Sequence, residues 1–119
     1  MNRVVITGVG AVTPIGTGRE ALWQNVKAGV CGIDRITRFD PSEFACQIAA
    51  EVKDFDPTKY MDKRDAKRMD LFVQYAVAGG RLAVEDAKLD MEKEDPERVG
   101  CFMGSGIGGI ATLCEQHTR

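Results

Sequence analysis

The pattern of apolar and polar residues predicts two buried strands. Residues 3–7 contain an uninterrupted apolar run at positions 4–6 and are followed by Gly8, and residues 99–103 form a second, largely apolar run. An uninterrupted apolar run is typical of a strand that is covered on both faces, as in a parallel sheet between helices. We therefore expect both segments to lie in such a sheet.

Apolar residues at three- and four-residue spacing predict the longest helix. The members of this series are Met69, Phe72, Val73, Ala76, Gly80, Ala83, Val84 and Ala87. They would form one apolar face of a helix of about five turns. The pair Gly79 and Gly80 costs a helix roughly 1 kcal/mol per residue relative to alanine, so we expect another segment to pack closely there.

Two further segments complete the predicted layout. Thr17 and Glu20 have the spacing of a capping box, which predicts a helix that begins there and ends near Gly29. Residues 47–52 are a short possible strand inside a long irregular connection. The order strand, helix, long connection, helix, strand, helix indicates an α/β fold.

Composition and charge restrict the possible functions. The 119 residues, 44% of them hydrophobic, suit one ordinary globular domain. Sixteen basic and eighteen acidic residues give a net charge of −2, which argues against a general nucleic-acid binder and against attraction to an anionic membrane. The N-terminus lacks the pattern of a secretory signal and no apolar stretch has the length of a membrane span, so we expect a cytoplasmic protein.

The cysteines and the single histidine do not form a metal-binding pattern. Cys31, Cys46, Cys101 and Cys114 include no Cys-x-x-Cys pair, whereas a zinc site would use closely paired ligands. Cys114 and His117 are three residues apart on the last predicted helix, which leaves a metal or nucleophile role as the alternative. Buried, unreactive thiols are the favoured interpretation, and we expect no metal.

A glycine-rich turn, residues 104–109, precedes the last predicted helix. Gly104, Gly106 and Gly109 satisfy the dinucleotide-binding pattern, and Gly108 is a fourth glycine. Because this pattern alone is weak, we favour a tight turn that lines another ligand channel. Ile107 is the bulky member of the turn: it either packs in a core or swings to admit a ligand, with its glycine neighbours supplying the backbone freedom.

A cluster of basic residues, which we call the basic segment, consists of Lys63, Arg64, Lys67 and Arg68. Their spacing would align them as one stripe on a helix. Such a stripe is either a solvated helix face or a docking site for an acidic partner. Spacing alone leaves both interpretations open.

Five blocks of the sequence resemble the N-terminal part of the β-ketoacyl-[acyl carrier protein] synthases of the type II class. In chain order the blocks are Ile6-Thr-Gly-Val-Gly-Ala-Val-Thr-Pro-Ile-Gly16, Glu51-Val-Lys-Asp-Phe-Asp-Pro57, Met61-Asp-Lys-Arg-Asp-Ala-Lys-Arg-Met-Asp70, Gln74-Tyr-Ala76 and Gly104-Ser-Gly-Ile-Gly-Gly109. Together they extend over essentially the whole chain. Five blocks in the right order are far more specific than any single glycine pattern.

The resemblance implies a thiolase-like fold. In that family two similar α/β halves stack as an αβαβα arrangement of five layers, usually in a homodimer. Residues 1–119 would then form an incomplete first half, truncated before the catalytic cysteine. We expect exposed strand edges and uncovered apolar faces in such a piece, which would favour aggregation or self-association.

The resemblance also implies an acyltransferase of fatty-acid elongation. In the family an acyl group passes from the acyl carrier protein to a cysteine and then condenses with malonyl-[acyl carrier protein] as carbon dioxide leaves, assisted by two histidines and an oxyanion hole. No redox or metal cofactor is required. The family's cysteine and histidines lie beyond the position that matches Arg119, and neither the four cysteines of this chain nor His117 matches them. The 119-residue chain is therefore expected to be inactive alone.

By the same resemblance, the basic segment falls where the family meets its acidic carrier protein, and Ile107 falls where family members gate the acyl pocket. Two alternatives share these blocks. One is a polyketide-type ketosynthase or chain-length-factor relative, and the other is a non-catalytic domain that binds a carrier protein. Binding without turnover would favour the non-catalytic domain.

Overall fold

A computed structural model describes residues 3–118, which divide into two compact units. One unit contains the chain up to Gly10 and from Asp56 onward, and the other is Ala11–Phe55. The described residues contain four α-helices and two two-stranded sheets, both antiparallel. No helix among them is both long and apolar enough to cross a bilayer.

The unit Ala11–Phe55 begins with a small hairpin. Strand β1, Val12–Thr13, pairs with β2, Gly16–Thr17, and the Thr13 hydroxyl donates to the Gly16 carbonyl at 2.8 Å. Helix α1, Arg19–Lys27, follows directly. The predicted capping box is wrong, because Gly18 is the N-cap residue and no side chain caps the helix. A glycine in that place adopts a φ of 86°, which a threonine rarely reaches.

The end of α1 agrees with the sequence. The amide of Gly29 donates to the carbonyl of Val26, and the amide of Val30 donates to that of Asn25. This is the Schellman arrangement, in which a glycine with positive φ, here 67°, stops the helix.

The second sheet lies in the same unit. Strand β3, Ile33–Arg35, pairs with β4, Ile48–Ala50, and Ile33 is opposite Ala50. Strand β4 confirms the strand predicted within residues 47–52, whereas β3 was not predicted. The side chain of Lys53 forms an ion pair with Asp34 at 2.9 Å beside this sheet.

The other unit is organised around one long helix. A short 3₁₀ turn, Pro57–Lys59, and helix α2, Lys63–Ala66, precede α3, Leu71–Ala87. Helix α3 confirms the predicted long helix. A second 3₁₀ turn, Pro96–Arg98, and helix α4, Ile110–Thr118, follow it. Helix α4 confirms the helix predicted after the glycine-rich turn.

The glycine pair in α3 has the close neighbour that the sequence predicted. A Cβ atom at Gly10 would overlap the carbonyl oxygen of Gly79, and one at Gly8 would overlap that of Ala83. Between these two glycines, the amide of Val9 donates to the Asp86 carboxylate at 2.9 Å. The absence of side chains at Gly8 and Gly10 therefore lets the N-terminal segment lie against the α3 backbone.

The predicted buried strands are wrong for the described chain. Residues 3–7 and 99–103 are irregular, and within residues 3–118 neither segment pairs with a strand. A strand requires a neighbour to receive its ladder hydrogen bonds. Val4 is 91% exposed and Phe102 is 94% exposed. The residues of both runs are exposed in the described chain, although Met103 lies beside α3.

The predicted burial of the cysteine thiols is also wrong, since all four cysteines are exposed. The physical reason is the same: the described residues bury few side chains, among them Ala66 and Ala78, and leave most large apolar ones accessible. Within residues 3–118 no group of three or more potential ligands is placed to hold a metal ion.

Candidate functional site

The basic segment spans helix α2 and the turn after it. Lys63 and Arg64 lie in α2, Lys67 is its C-cap residue, and Arg68 lies beyond the helix. The prediction of one helical stripe is therefore only partly correct. The amide of Arg68 bonds to the carbonyl of Asp65, three residues back, which tightens the last turn and ends the helix.

All four basic side chains of this segment are exposed. Among residues 3–118, no carboxylate lies within ion-pair distance of any of them. On the opposite side of α2, Ala66 is buried. The segment therefore presents to solvent four cationic groups that have no ion-pair partner within residues 3–118, and buried Ala66 anchors its helix.

Gln74 fixes the turn between α2 and α3. Its side-chain amide donates to the carbonyls of Ala66 at 2.9 Å and Met69 at 2.8 Å. Gln74 is 8% exposed, so these two carbonyls are satisfied away from water. The end of the basic segment is thereby tied to the first turn of α3.

Asp70 joins the first turns of two helices. It is the N-cap residue of α3, and its carboxylate accepts the hydroxyl of Thr112 at 2.7 Å and the amide of Thr112 at 3.1 Å. Thr112 is the third residue of α4. The hydroxyl and the amide of Thr112, with smaller contributions from the nearby amides of Leu71 and Phe72, lower the pKa of Asp70 below its ordinary value.

The glycine-rich turn lies against this end of α3. Gly108 has a φ of 74°, and its amide donates to the Ser105 hydroxyl at 3.0 Å. A Cβ atom at Gly109 would lie 3.1 Å from the Asp70 carboxylate and 3.4 Å from the Phe72 ring. The glycine at 109 therefore permits the close approach of both side chains, whereas Gly104 and Gly106 face open space.

Ile107 projects from the most open part of the turn. Its side chain is 78% exposed, so the core-packing interpretation does not hold within the described residues. Gly106 and Gly108 flank it. The swinging interpretation stays a prediction.

Two apolar surface pockets lie along the same face of α3. The smaller, about 250 Å³, is beside the glycine-rich turn, and the larger is an open groove of about 780 Å³. The smaller is lined by Phe72, Tyr75, Ala76, Met103, Gly104 and Ser105. Phe72, Ala76 and Met103 also line the larger groove, so the turn stands at one end of an accessible apolar surface.

The nucleotide interpretation of the glycine-rich turn is disfavoured. A phosphate would bind the free amides at the N-terminus of the helix that follows the turn. In this chain a carboxylate, that of Asp70, already accepts the Thr112 amide there. Residues 99–103 are also not a strand, so the strand and turn context of the dinucleotide pattern is missing from the described chain.

Asp70, Gln74 and Thr112 were not singled out from the sequence. An aspartate immediately before the apolar series at 71–87 is a recognisable N-cap signal. Its partner Thr112, however, is 42 residues away, and no spacing rule connects the two. Asp70 and Gln74 each lie in one of the five blocks that resemble the family, but no pattern assigns either of them a role.

Comparisons with known proteins agree with this organisation. Residues 1–119 match the family described as "Beta-ketoacyl synthase, N-terminal domain". The chain is 47% identical over 116 residues to 3-oxoacyl-[acyl-carrier-protein] synthase 2 of Synechocystis sp., and 47% identical over 117 residues to the protein of that name from Staphylococcus aureus. It covers 28% of the length of each of these curated relatives, which in turn match 98% of this chain.

Two solved structures are similar in fold as well. The ishigamide ketosynthase/chain length factor superposes with a TM-score of 0.77 at 36% identity, over 96% of this chain and 29% of its own. A type II polyketide ketosynthase in complex with its acyl-carrier protein, bound to the hexaketide, gives 0.74 at 28% identity, over 96% of this chain and 29% of its own. The described chain thus has a ketosynthase-like fold of mixed helices and strands. By the match of its full length, it belongs to the β-ketoacyl synthase family, in the N-terminal domain of that family.

Proposed function

We propose that the chain is the N-terminal part of an elongating condensing enzyme, a 3-oxoacyl-[acyl carrier protein] synthase of type 2. The observation that carries this proposal is the 47% identity to synthases of that name over 98% of the chain. Residues 1–119 would form part of the first half of a thiolase-like αβαβα fold, ahead of the catalytic cysteine. The assembled enzyme would be a cytoplasmic homodimer.

The proposed reaction has two covalent steps. A cysteine thiolate takes the acyl group from the carrier-protein thioester, and the carrier thiol is released. Malonyl-[acyl carrier protein] then loses carbon dioxide, and the resulting enolate carbon attacks the acyl thioester, so that a carbon–carbon bond forms and the cysteine thiolate leaves. The residues for both steps would lie beyond Arg119, and the 119-residue chain would be inactive alone.

The basic segment would supply the docking surface for the carrier protein. Its four exposed cationic groups have no ion-pair partner within residues 3–118, so an acidic protein would gain attraction without first breaking existing pairs. A solved relative is itself a ketosynthase in complex with an acyl-carrier protein. Reversal of the four charges should slow acyl transfer at limiting carrier protein, and the loss should shrink at high salt.

Ile107 would act as the gate of the acyl pocket. Its exposure, its glycine neighbours and the apolar surface pockets beside the turn support this role. A side chain in this place could turn aside to admit an acyl chain. Ile107→Gly should therefore broaden the chain-length preference, whereas an unchanged preference would refute the gate.

The experiment that tests the proposed function is a condensation assay. The longest product of the gene that carries this chain is incubated with acyl-[acyl carrier protein] and malonyl-[acyl carrier protein], and the products are identified by mass spectrometry. One 3-oxoacyl product, longer by two carbons, is expected, together with one equivalent of carbon dioxide. Carrier-protein binding without any product would refute the enzyme and favour the non-catalytic binding domain.

A polyketide-type ketosynthase or chain-length-factor relative is the second candidate. The similarity to the ishigamide ketosynthase/chain length factor and to the type II polyketide ketosynthase specifically favours it. The same assay separates the two candidates. Repeated condensation to a poly-β-keto chain would favour the polyketide-type enzyme, and a single elongation would favour the enzyme of fatty-acid synthesis.

A further inference from the structure

The N-terminal end of α3 carries a long-range polar contact that the proposed function does not yet use. The Asp70 carboxylate accepts both the hydroxyl and the amide of Thr112, at 2.7 Å and 3.1 Å. Thr112 stands in the first turn of α4, three residues after the glycine-rich turn. The start of α4 is therefore held by a side chain from another helix.

The glycine-rich turn packs closely against the residues that make this contact. A Cβ atom at Gly109 would lie 3.1 Å from the carboxylate, and one at Gly108 would lie 3.8 Å from the Phe72 ring. The two residues that follow Ile107 are thus packed against the residues that begin α3. Four glycines in a six-residue turn leave its backbone free to adopt many conformations unless such contacts restrict it.

The charge of Asp70 suits this place. The carboxylate belongs to the N-cap residue of α3 and accepts the Thr112 amide in the first turn of α4, and helix N-termini favour a negative group. Hydrogen bonds to an ionised group are stronger than those between neutral groups. The contact is therefore a suitable restraint for a turn that is otherwise rich in glycine.

We propose that Asp70 is a positioning residue, which holds the glycine-rich turn on the end of α3 and thereby sets the orientation of Ile107 and the acyl-chain-length preference. This inference rests on the proposed function. Asp70 does not touch the reacting atoms; it acts through Thr112 and the turn. When the contact is lost, Ile107 samples more orientations, and the pocket discriminates less between long and short chains.

The test uses two variants that remove the contact from opposite sides, made in the longest product of the gene. Asp70→Ala deletes the carboxylate, and Thr112→Val deletes only the hydroxyl while it keeps the shape of the side chain. Thr112→Ser restores the hydroxyl and should rescue the loss. The chain also offers a matched control, because the Asp56 carboxylate bonds the hydroxyl of Thr58 at 2.6 Å within a local turn. Asp56→Ala and Thr58→Val remove an aspartate–threonine pair that does not touch the glycine-rich turn.

Two readouts are needed. Hydrogen–deuterium exchange reports the opening of residues 104–118, which should increase roughly tenfold in Asp70→Ala, since a hydrogen bond to a charged group is lost. The ratio of kcat/KM for a long over a short acyl substrate should fall by about threefold, which is less than the roughly tenfold discrimination that a single methylene group provides in an apolar pocket. The KM for the carrier protein should not change, because the basic segment is intact. The control variants should leave both the exchange of residues 104–118 and the ratio unchanged.

The outcomes separate the inference from the proposed function. Variants that condense with an unchanged chain-length ratio would overturn the role of Asp70 and leave the enzyme standing. Unchanged exchange of residues 104–118 would overturn the restraint itself. An unmutated protein that forms no carbon–carbon bond would overturn the proposed function, and the chain-length role with it, whatever the exchange shows.

Discussion

The N-terminal end of α3 and the apolar segments at residues 4–6 and 99–103 show opposite behaviour. At the helix end, Gln74 and Asp70 find their polar partners within the described chain. In the apolar segments, side chains such as Ile6 and Phe102 remain 87% and 94% exposed. A polar group needs only a few hydrogen-bond partners, which a few residues can supply. An apolar run needs a large surface to cover it. In the proposed enzyme, residues outside 1–119 would supply that surface.

The largest effect is expected from a charge placed in an apolar segment of the complete enzyme. Ile6→Asp should lower the free energy of unfolding by about 3 kcal/mol or more, because an apolar segment covered by the remaining protein would then hold a buried, unpaired carboxylate. Met91→Asp, at an exposed position among the charged residues that follow α3, should change it by less than about 0.5 kcal/mol. Chemical denaturation of the longest gene product measures both. Equal effects would show that residues 3–7 stay uncovered in the longer protein as well.

The close approach of the N-terminal segment to α3 predicts the next effect. A Cβ atom at Gly10 would overlap the Gly79 carbonyl, so Gly10→Ala should cost about 2–3 kcal/mol of stability through overpacking. At Gly104 a Cβ atom meets nothing within 4 Å, so Gly104→Ala serves as the control with little change. Thermal unfolding measures both variants. A neutral Gly10→Ala would contradict the close contact between the two backbones.

Gln74 tests the polar side of the comparison. Gln74→Leu would leave the carbonyls of Ala66 and Met69 without their donor in a buried place, at a cost of about 1–2 kcal/mol. Gln47 donates to the carbonyls of Ser42 and Phe44 at 3.3 and 3.4 Å where water can replace it. Gln47→Leu should therefore cost less than Gln74→Leu in denaturant titrations. The reverse order would contradict the anchoring role of Gln74.

The smallest effect is the pH dependence that Asp70 contributes. Its pKa is lowered in the folded chain, chiefly by the Thr112 hydroxyl. A lowered pKa means that this stabilisation is present above the ordinary aspartate pKa and is lost as the pH falls through the lowered value. The stability difference between the unmutated protein and Asp70→Asn should therefore shrink as the solution is acidified through that range. A difference that stays constant would show that the folded protein does not favour the ionised carboxylate.

The sequence predicted those features that depend on a local pattern. The periodicity that ends at Ala87 identified α3, and Gly29 identified the end of α1. Thr17 is not the N-cap residue because the helix begins one position later. The N-cap residue is Gly18, which has a φ of 86° and no side chain that could cap the helix. An apolar run predicts the need for burial but does not say what covers it, which is why residues 3–7 were assigned to a buried strand.

The sequence identified individual residues of the candidate site but not the contacts that bring them together. The basic segment and Ile107 stand out by residue type and by their resemblance to the family. The contact between Asp70 and Thr112 joins positions 42 residues apart, and no pattern in a single sequence indicates that two such positions meet. Only the folded arrangement shows that the end of the basic segment and the glycine-rich turn meet the same helix.

In the proposed condensing enzyme, the nucleophilic cysteine would be supplied from outside residues 1–119. Intact-mass spectrometry after incubation with acyl-[acyl carrier protein] tests this claim most directly, with the longest gene product and the 119-residue chain treated side by side. We expect the longer protein to gain the mass of one acyl group, and the 119-residue chain to gain none although its four thiols are exposed. Acylation of the 119-residue chain, or of neither protein, would contradict the account.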